Sequence, residues 1–284
     1  MNRHPKWLKV NIPGGKNFVK MKSILRNAKL HTICEEAKCP NIAECFENNT
    51  AVFLILGNVC TRNCLYCNVS HGKPDVLNQS EPEDIAVSVK KLGLKYVVIT
   101  SVSRDDLSDG GASFFAETIK KVKRLNPFCI IEVLIPDFKG DLSSLKHVVD
   151  SKPDVINHNI ETVKELFSNF RPEGNYKISL NLLSNIKKLN SNIKSKSGFM
   201  VGLGETTNQI IKTMKDLRKS DVDFLTVGQY LQPTKKHASI NKYYTPDEFK
   251  IFKKIGLNLG FRHIESGPLI RSSYHAADFF VKQI

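Results

Sequence analysis

From residue 51 onward, short apolar runs alternate with longer stretches in which apolar residues recur every three or four positions. The runs at 51–56, 96–100, 130–135, 154–157, 198–203 and 224–227 have the length and composition of buried strands. Between them, three sets of residues each mark the apolar face of a helix: Ile85, Val89 and Leu92; Phe115, Ile119 and Val122; Ile210, Met214 and Leu217. Ser80 with Glu83 has capping-box spacing ahead of the first face, and Thr206 and Thr207 precede the third. Thr245, Pro246, Asp247 and Glu248 open a last helix that Gly256 is placed to close. Six strands with intervening helices predict repeated βα units and a parallel sheet. Residues 1–50 and 257–284 lack this rhythm. No Gly-, Pro- or Ser-rich linker separates them from the 51–256 body, so they are expected to be extensions packed upon it.

Composition changes this picture little. A 41% hydrophobic content over 284 residues is enough for a sizeable core, and no apolar run is long enough to span a bilayer. Lys+Arg 42 against Asp+Glu 28 gives +14, which favours an acidic partner. The lysines are scattered, without the interleaved aromatics of RNA modules, so no nucleic-acid partner is expected.

Cysteine usage changes it a great deal. Six of the seven cysteines form two triplets, Cys34-x4-Cys39-x5-Cys45 and Cys60-x3-Cys64-x2-Cys67. In the second, three thiolates on one tight loop can hold three corners of a cubane iron–sulfur cluster, leaving the fourth iron free for chemistry. Zinc is the competing reading, with His71 or His31 as a fourth ligand. The x3 and x5 gaps nevertheless differ from paired CxxC knuckles, and each triplet is one cysteine short of a closed thiolate site. Disulfides are disfavoured, because seven is odd and Met1 to Val10 contain no apolar secretion segment. Reduced thiols and a cytoplasmic location are therefore expected. Cys129, beside Ile130 and Ile131, reads as a buried core cysteine.

The unusual polar residues collect where strands end. Cys60, Cys64 and Cys67 follow the first strand; the 101–106 stretch, with Asp109, Gly110 and Gly111, follows the second. Asn157, His158, Asn159 and Glu161 follow the fourth, and residues 229–233 the sixth. This is the rim at which βα barrels keep their active sites.

The second triplet, so placed, resembles the radical S-adenosylmethionine superfamily. The 30–46 stretch with Cys34, Cys39 and Cys45, the run Asn157-His158-Asn159-Ile160-Glu161-Thr162, the 229–233 stretch and Arg271-Ser272-Ser273-Tyr274-His275-Ala276 narrow this to a resemblance to lipoyl synthases, extending from about Trp7 to Ala276. That resemblance implies an α/β fold, a partial (β/α)6 TIM-type barrel with N- and C-terminal extensions, two 4Fe-4S clusters and S-adenosylmethionine. It assigns Cys60, Cys64 and Cys67 to the cluster that chelates the amino and carboxylate groups of S-adenosylmethionine. Cys34, Cys39 and Cys45 go to an auxiliary cluster, with Ser273 as its fourth ligand and Ser272 as the alternative. Asp109, Gly110 and Gly111 resemble the glycine motif that approaches the methionyl moiety; the plain alternative is a loop leading into a helix at Ala112. Arg171 is a candidate fork for the methionyl carboxylate, the alternative being a surface arginine. Asn159 and Glu161 are candidates for orienting the ribose or amino group, and Gly202 and Gly204 for flanking adenine. His158 and His237 read as structural or substrate-loop residues.

The implied reaction inserts two sulfur atoms at C6 and C8 of an octanoyl group on a lysine of a lipoyl carrier domain. Such carriers include the E2 subunits of 2-oxoacid dehydrogenases and the H protein of glycine cleavage. These carbons bear no acidic proton and no leaving group, so acid–base residues cannot open their C–H bonds, whereas a 5′-deoxyadenosyl radical can. A second cluster beside the substrate suits sulfur donation, and a hard serine oxygen is a weak corner for it. A reductant such as ferredoxin or flavodoxin and iron–sulfur assembly proteins are the further implied partners. A biotin-synthase-like enzyme is the nearest alternative, disfavoured by the amino-terminal triplet and the 271–276 tail. A two-cluster electron carrier needs neither barrel nor open iron, and bacterial ferredoxin spacing is x2, x2, x3. A zinc-stapled RNA binder leaves the rim residues unexplained.

Overall fold

The computed structural model describes residues 5–10 and 12–277; the outermost parts of both extensions, 1–4 and 278–284, lie outside the described residues. The strands are β1 (His31–Thr32), β2 (Val52–Ile55), β3 (Val59–Cys60), β4 (Ser70–His71), β5 (Tyr96–Ser101), β6 (Ile130–Leu134), β7 (Val155–Asn157), β8 (Lys194–Val201), β9 (Phe224–Gln229) and β10 (His263–Gly267). Eight of them form one sheet in the order β1-β2-β5-β6-β7-β8-β9-β10, with β3 and β4 as a separate pair. All neighbours in the large sheet are parallel except β1 on β2. β1 and β10 are its free edges, so the barrel is open and α/β in class.

All six expected strands are present, but the sheet is larger than expected. β8 begins at Lys194 rather than Gly198, because Ser195 and Lys196 are polar yet fully buried. β10 lies inside the segment read as a terminal extension and pairs with β9 from His263 opposite Phe224 to Gly267 opposite Gly228. Its hydrophobic signal is a single buried side chain, Ile264, which suffices for an edge strand but not for a recognisable pattern.

The helices cover the outside of the sheet. Glu81–Leu92, Ala112–Leu125 and Thr207–Lys219 bury the apolar faces expected of them. Capping boxes form at Thr206 with Gln209 and at Thr245 with Glu248. The one expected at Ser80 does not. Its hydroxyl donates to Asp84 at 2.6 Å, and Glu83 pairs instead with Lys121 and Arg124. Gly256 does not end its helix, which runs Pro246–Asn258; it lies within, where a Cβ would collide with Ile264.

Inside the barrel, four adjacent strands each contribute one residue to a buried polar network. Lys196 Nζ lies 3.0 Å from both carboxylate oxygens of Glu132. Tyr96 Oη donates to Glu132 at 2.5 Å and Asn157 Nδ2 at 3.1 Å. Burial pushes the Lys196 ammonium down and Glu132 holds it up. Removing one partner of such a pair leaves an uncompensated charge in the interior. Lys196→Met is therefore expected to destabilise the fold by about 3–5 kcal/mol in urea unfolding, and adding Glu132→Gln to recover part of that loss.

Candidate functional site

The second cysteine triplet sits on a loop pinched at its base by β3 and β4 and closed by Gly72 N–H donating to the Cys60 carbonyl at 2.9 Å. The backbone N–H groups of Arg62 and Ser103 point at Cys60 Sγ at 3.4 and 3.3 Å. Arg62 fixes the loop to the barrel. Its guanidinium, 4% exposed, donates to Asp105 after β5 at 2.7 and 2.9 Å and to Asp137 after β6 at 2.8 and 2.7 Å. Burial alone would raise the Asp137 carboxyl, but Arg62 holds it well below the usual carboxylate range. Neither Arg62 nor Asp137 was among the sequence candidates, although an arginine between Cys60 and Cys64 and acids after two strands were the available signal.

Cys60, Cys64 and Cys67 line a cavity of about 160 Å³ at the carboxyl ends of the strands, together with Arg171, Asn159 and Glu161. Arg171 is buried rather than on the surface. Its Nη1 donates to the Asn159 carbonyl at 3.1 Å, and Nη2 lies 3.9 Å from Asp137. Glu161 has a left-handed φ of 68° and is clamped on β8 by its N–H to the Gly198 carbonyl and its carbonyl from Met200 N–H. Burial pushes its carboxyl above the ordinary value, against the pull of Arg171 and Asn159. Asn159 Oδ1 and Ser101 Oγ are buried without a hydrogen-bond partner among the described residues, so the wall offers polar atoms to a ligand.

Cys34, Cys39 and Cys45 line a second cavity, of about 450 Å³, with Arg271, Ser272 and Ser273. Its wall is shared with the first cavity through Tyr66, Cys67, Asn159 and Glu161, above Thr100 and Leu134. The carboxy-terminal segment reaches this cavity by crossing the barrel mouth. Gly228 lets the Ile270 carbonyl approach β9 where a Cβ would block it. Asn41 Nδ2 donates to the Leu269 carbonyl at 2.7 Å, and Tyr274 Oη to Glu44 at 2.9 Å. Residues distant in sequence thus meet beside the amino-terminal triplet.

The thiols of Cys34, Cys39, Cys45, Cys64 and Cys67 are unfavourable as free anions. Burial pushes Cys64 to about 11, Cys67 to about 12 and Cys45 to about 12, and raises Cys34 further. Neighbouring cysteines add to the rise at each of these positions. Bound iron would remove this penalty by taking the thiolate directly. Among the described residues, no three Cys, His, Asp or Glu side chains converge enough to hold a single ion. His31 pairs with Glu36 at 3.1 Å, and His71 is exposed.

Asp109, Gly110, Gly111 and Gly202 do not line either cavity. Asp109 accepts from Gly111 and Ser113 N–H, each at 2.8 Å, and so caps the helix Ala112–Leu125. Gly110 and Gly111 have φ of 60° and 88°, and a Cβ on Gly111 would strike Leu56, so these residues form a tight turn into that helix. Gly202 N–H donates to Glu205 at 2.6 Å, and a Cβ there would strike Gln229. His158 lines the smaller cavity and is buried, with ring nitrogens 2.8 Å from the Ile135 carbonyl and 2.9 Å from Ser179 Oγ. Burial lowers it to about 4.

A family model of the radical SAM superfamily matches residues 54–217, and one of the N-terminal domain of lipoyl synthase matches residues 1–39. A protein of Rubrobacter xylanophilus named lipoyl synthase is 54% identical over 272 residues, covering 96% of this chain and 85% of that protein. One of Caldanaerobacter subterraneus with the same name is 52% identical over 274 residues, covering 96% of each. In fold, the chain is similar to methylornithine synthase (TM-score 0.57, 15% identity, 88% of this chain and 78% of that one). It is also similar to Streptococcus suis SuiB bound to S-adenosylmethionine (TM-score 0.58, 14% identity, 88% and 54%).

The Asp137 carboxylate beside Arg62 sets an acid-stability expectation. Asp137 is lowered in the folded state, so its contribution is fully present above the ordinary aspartate value of about 4 and is lost as pH falls through the lower folded value. Urea unfolding should show wild-type protein losing more stability between about pH 4 and 2 than Asp137→Asn does. At neutral pH, Arg62→Leu should cost about 3–5 kcal/mol, because it strands Asp137 in the interior.

Proposed function

The chain belongs to the lipoyl synthase family of radical S-adenosylmethionine enzymes, a sulfur-inserting family, and on that premise we propose that it inserts two sulfur atoms at C6 and C8 of an octanoyl-lysine on a lipoyl carrier domain. Family membership implies a 4Fe-4S cluster and S-adenosylmethionine. We assign that cluster to Cys60, Cys64 and Cys67, and a second one, the sulfur source, to Cys34, Cys39, Cys45 and Ser273. The observation that carries the reading is the pair of cavities divided by one wall, each with its own triplet, and the serine pair beside the amino-terminal one.

Cys60, Cys64 and Cys67 would hold a cluster that, with S-adenosylmethionine, would supply a 5′-deoxyadenosyl radical able to take hydrogen from an unactivated carbon. The protein's task is orientation. Arg171 faces the smaller cavity as a buried cation suited to the methionyl carboxylate, while Asn159 and Glu161 offer acceptors for the amino or ribose groups. Asp109, Gly110 and Gly111 serve this site by shaping the turn after β5, without lining it. Ile33, Leu134, Met200, Tyr230 and Leu231 give the larger cavity apolar surface for an eight-carbon chain.

The domain reading follows the same division. Residues 1–50 supply the auxiliary cysteines, 51–256 the radical barrel and 257–284 the serine ligand, with β10 extending the barrel from the last segment. Octanoylated E2 and H-protein domains are the proposed substrates. The proposed setting is the cytoplasm, with ferredoxin or flavodoxin as reductant and iron–sulfur assembly proteins loading the sites. Among the described residues no helix is long and apolar enough to cross a membrane.

Four anaerobically reconstituted variants test the division of labour. Replacing Cys60, Cys64 and Cys67 by alanine should abolish 5′-deoxyadenosine formation while leaving bound iron and sulfide. Replacing Cys34, Cys39 and Cys45 should keep cofactor cleavage and stop lipoyl formation. Ser273→Ala should retain cleavage and lose most sulfur insertion, with Ser272→Ala milder. Lipoyl product from the amino-terminal variant would remove the sulfur-donor role, and zinc without sulfide in the wild type would overturn both clusters.

A further inference from the structure

The loop after β9 lines the larger cavity and is fastened to the cysteine loop of the smaller one. Its first part, Leu231, Gln232 and Pro233, lines the larger one. Its last part is fastened to the cysteine loop of the smaller one: Ala238 N–H donates to the Leu65 carbonyl at 2.9 Å, and His237 Nε2 lies 2.9 Å from the Cys67 carbonyl. A carbonyl only accepts, so that ring nitrogen carries the proton. Thr234 Oγ1 holds the other ring nitrogen at 2.8 Å, and Gln232 Nε2 donates to the His237 carbonyl at 2.9 Å. Tyr230 Oη closes the loop onto the Ala238 carbonyl at 2.8 Å. One short segment thus joins a cavity-lining glutamine to the Cys67 backbone through a single histidine, bonded at its carbonyl by Gln232 and at its ring to Cys67.

We propose that His237 is a positioning residue that couples occupancy of the larger cavity to the geometry of Cys67, so that an acyl chain seated against Gln232 and Pro233 promotes cofactor cleavage in the smaller cavity. This rests on the reading of the larger cavity as the octanoyl site. Pressure on the loop from a bound chain moves the His237 N–H, and with it the Cys67 carbonyl, because the hydrogen bonds within the loop leave little slack.

The test uses His237→Ala and the donor-retaining His237→Gln in reconstituted protein, with two readouts. Without S-adenosylmethionine or peptide, amide hydrogen exchange at Ala238 and Cys67 should accelerate roughly fivefold or more in the alanine variant, the factor expected for one lost hydrogen bond. With dithionite and S-adenosylmethionine, an octanoyl-lysine peptide should stimulate 5′-deoxyadenosine formation by the wild type. That ratio should fall to about one in His237→Ala and recover in part in His237→Gln. Unchanged exchange, or stimulation equal to wild type in the alanine variant, would overturn the proposal. A ratio of one in the wild type itself would instead overturn the octanoyl reading of the cavity, and the proposed coupling with it, while the exchange result would still report the fastening.

Discussion

Arg62 is the joint on which the arrangement depends. A cysteine loop of this kind has no core of its own, and the thiols of Cys64 and Cys67, which burial drives toward protonation, do not organise it. The guanidinium between Asp105 and Asp137 does, since two carboxylates from neighbouring strands leave it one well-satisfied orientation. Asp137 then lies beside Arg171, and Arg171 holds the Asn159 carbonyl, so the charges alternate from the cysteine loop around to the wall between the cavities. Two cysteine triplets can face one another across that wall because the loop carrying one of them does not wander.

The same economy appears at the carboxy terminus. Gly228 opens a passage for the Ile270 carbonyl, and Asn41, Glu44 and Tyr274 tie the segment to the helix carrying Cys45. Ser272 and Ser273 reach the larger cavity only because β10 carries the chain back alongside β9. A strand whose main-chain hydrogen bonds fix the register by Gly267 leaves the next few residues little freedom over where they lie.

The parts of this fold legible in the sequence were those written in side-chain periodicity. β2, β5, β6, β7 and β9 and the helix faces from Ile85, Phe115 and Ile210 follow from burial on one or both sides. The start of β8 was hidden because Lys196 satisfies its charge on Glu132, a partner 64 residues away that no local window contains. β10 was hidden because an edge strand needs so little apolar surface. Ser80 had the residue and spacing for a cap, yet Asn78 and Asp84 compete for its hydroxyl. For the site, cysteine spacing pointed to the loops and the family resemblance to the serine tail. The roles of Arg62 and Asp137 are tertiary, and His237 is tied to Cys67 across 170 residues.

The central claim is that both inserted sulfurs come from the chain's own amino-terminal triplet site. The most direct measurement is mass spectrometry of an octanoyl-lysine peptide after a single turnover by protein whose clusters were assembled with heavy-isotope sulfide, in buffer containing only light sulfur. The account predicts a lipoyl product in which both sulfurs are heavy. A product carrying light sulfur, or a peptide that remains octanoylated while 5′-deoxyadenosine accumulates, would contradict it.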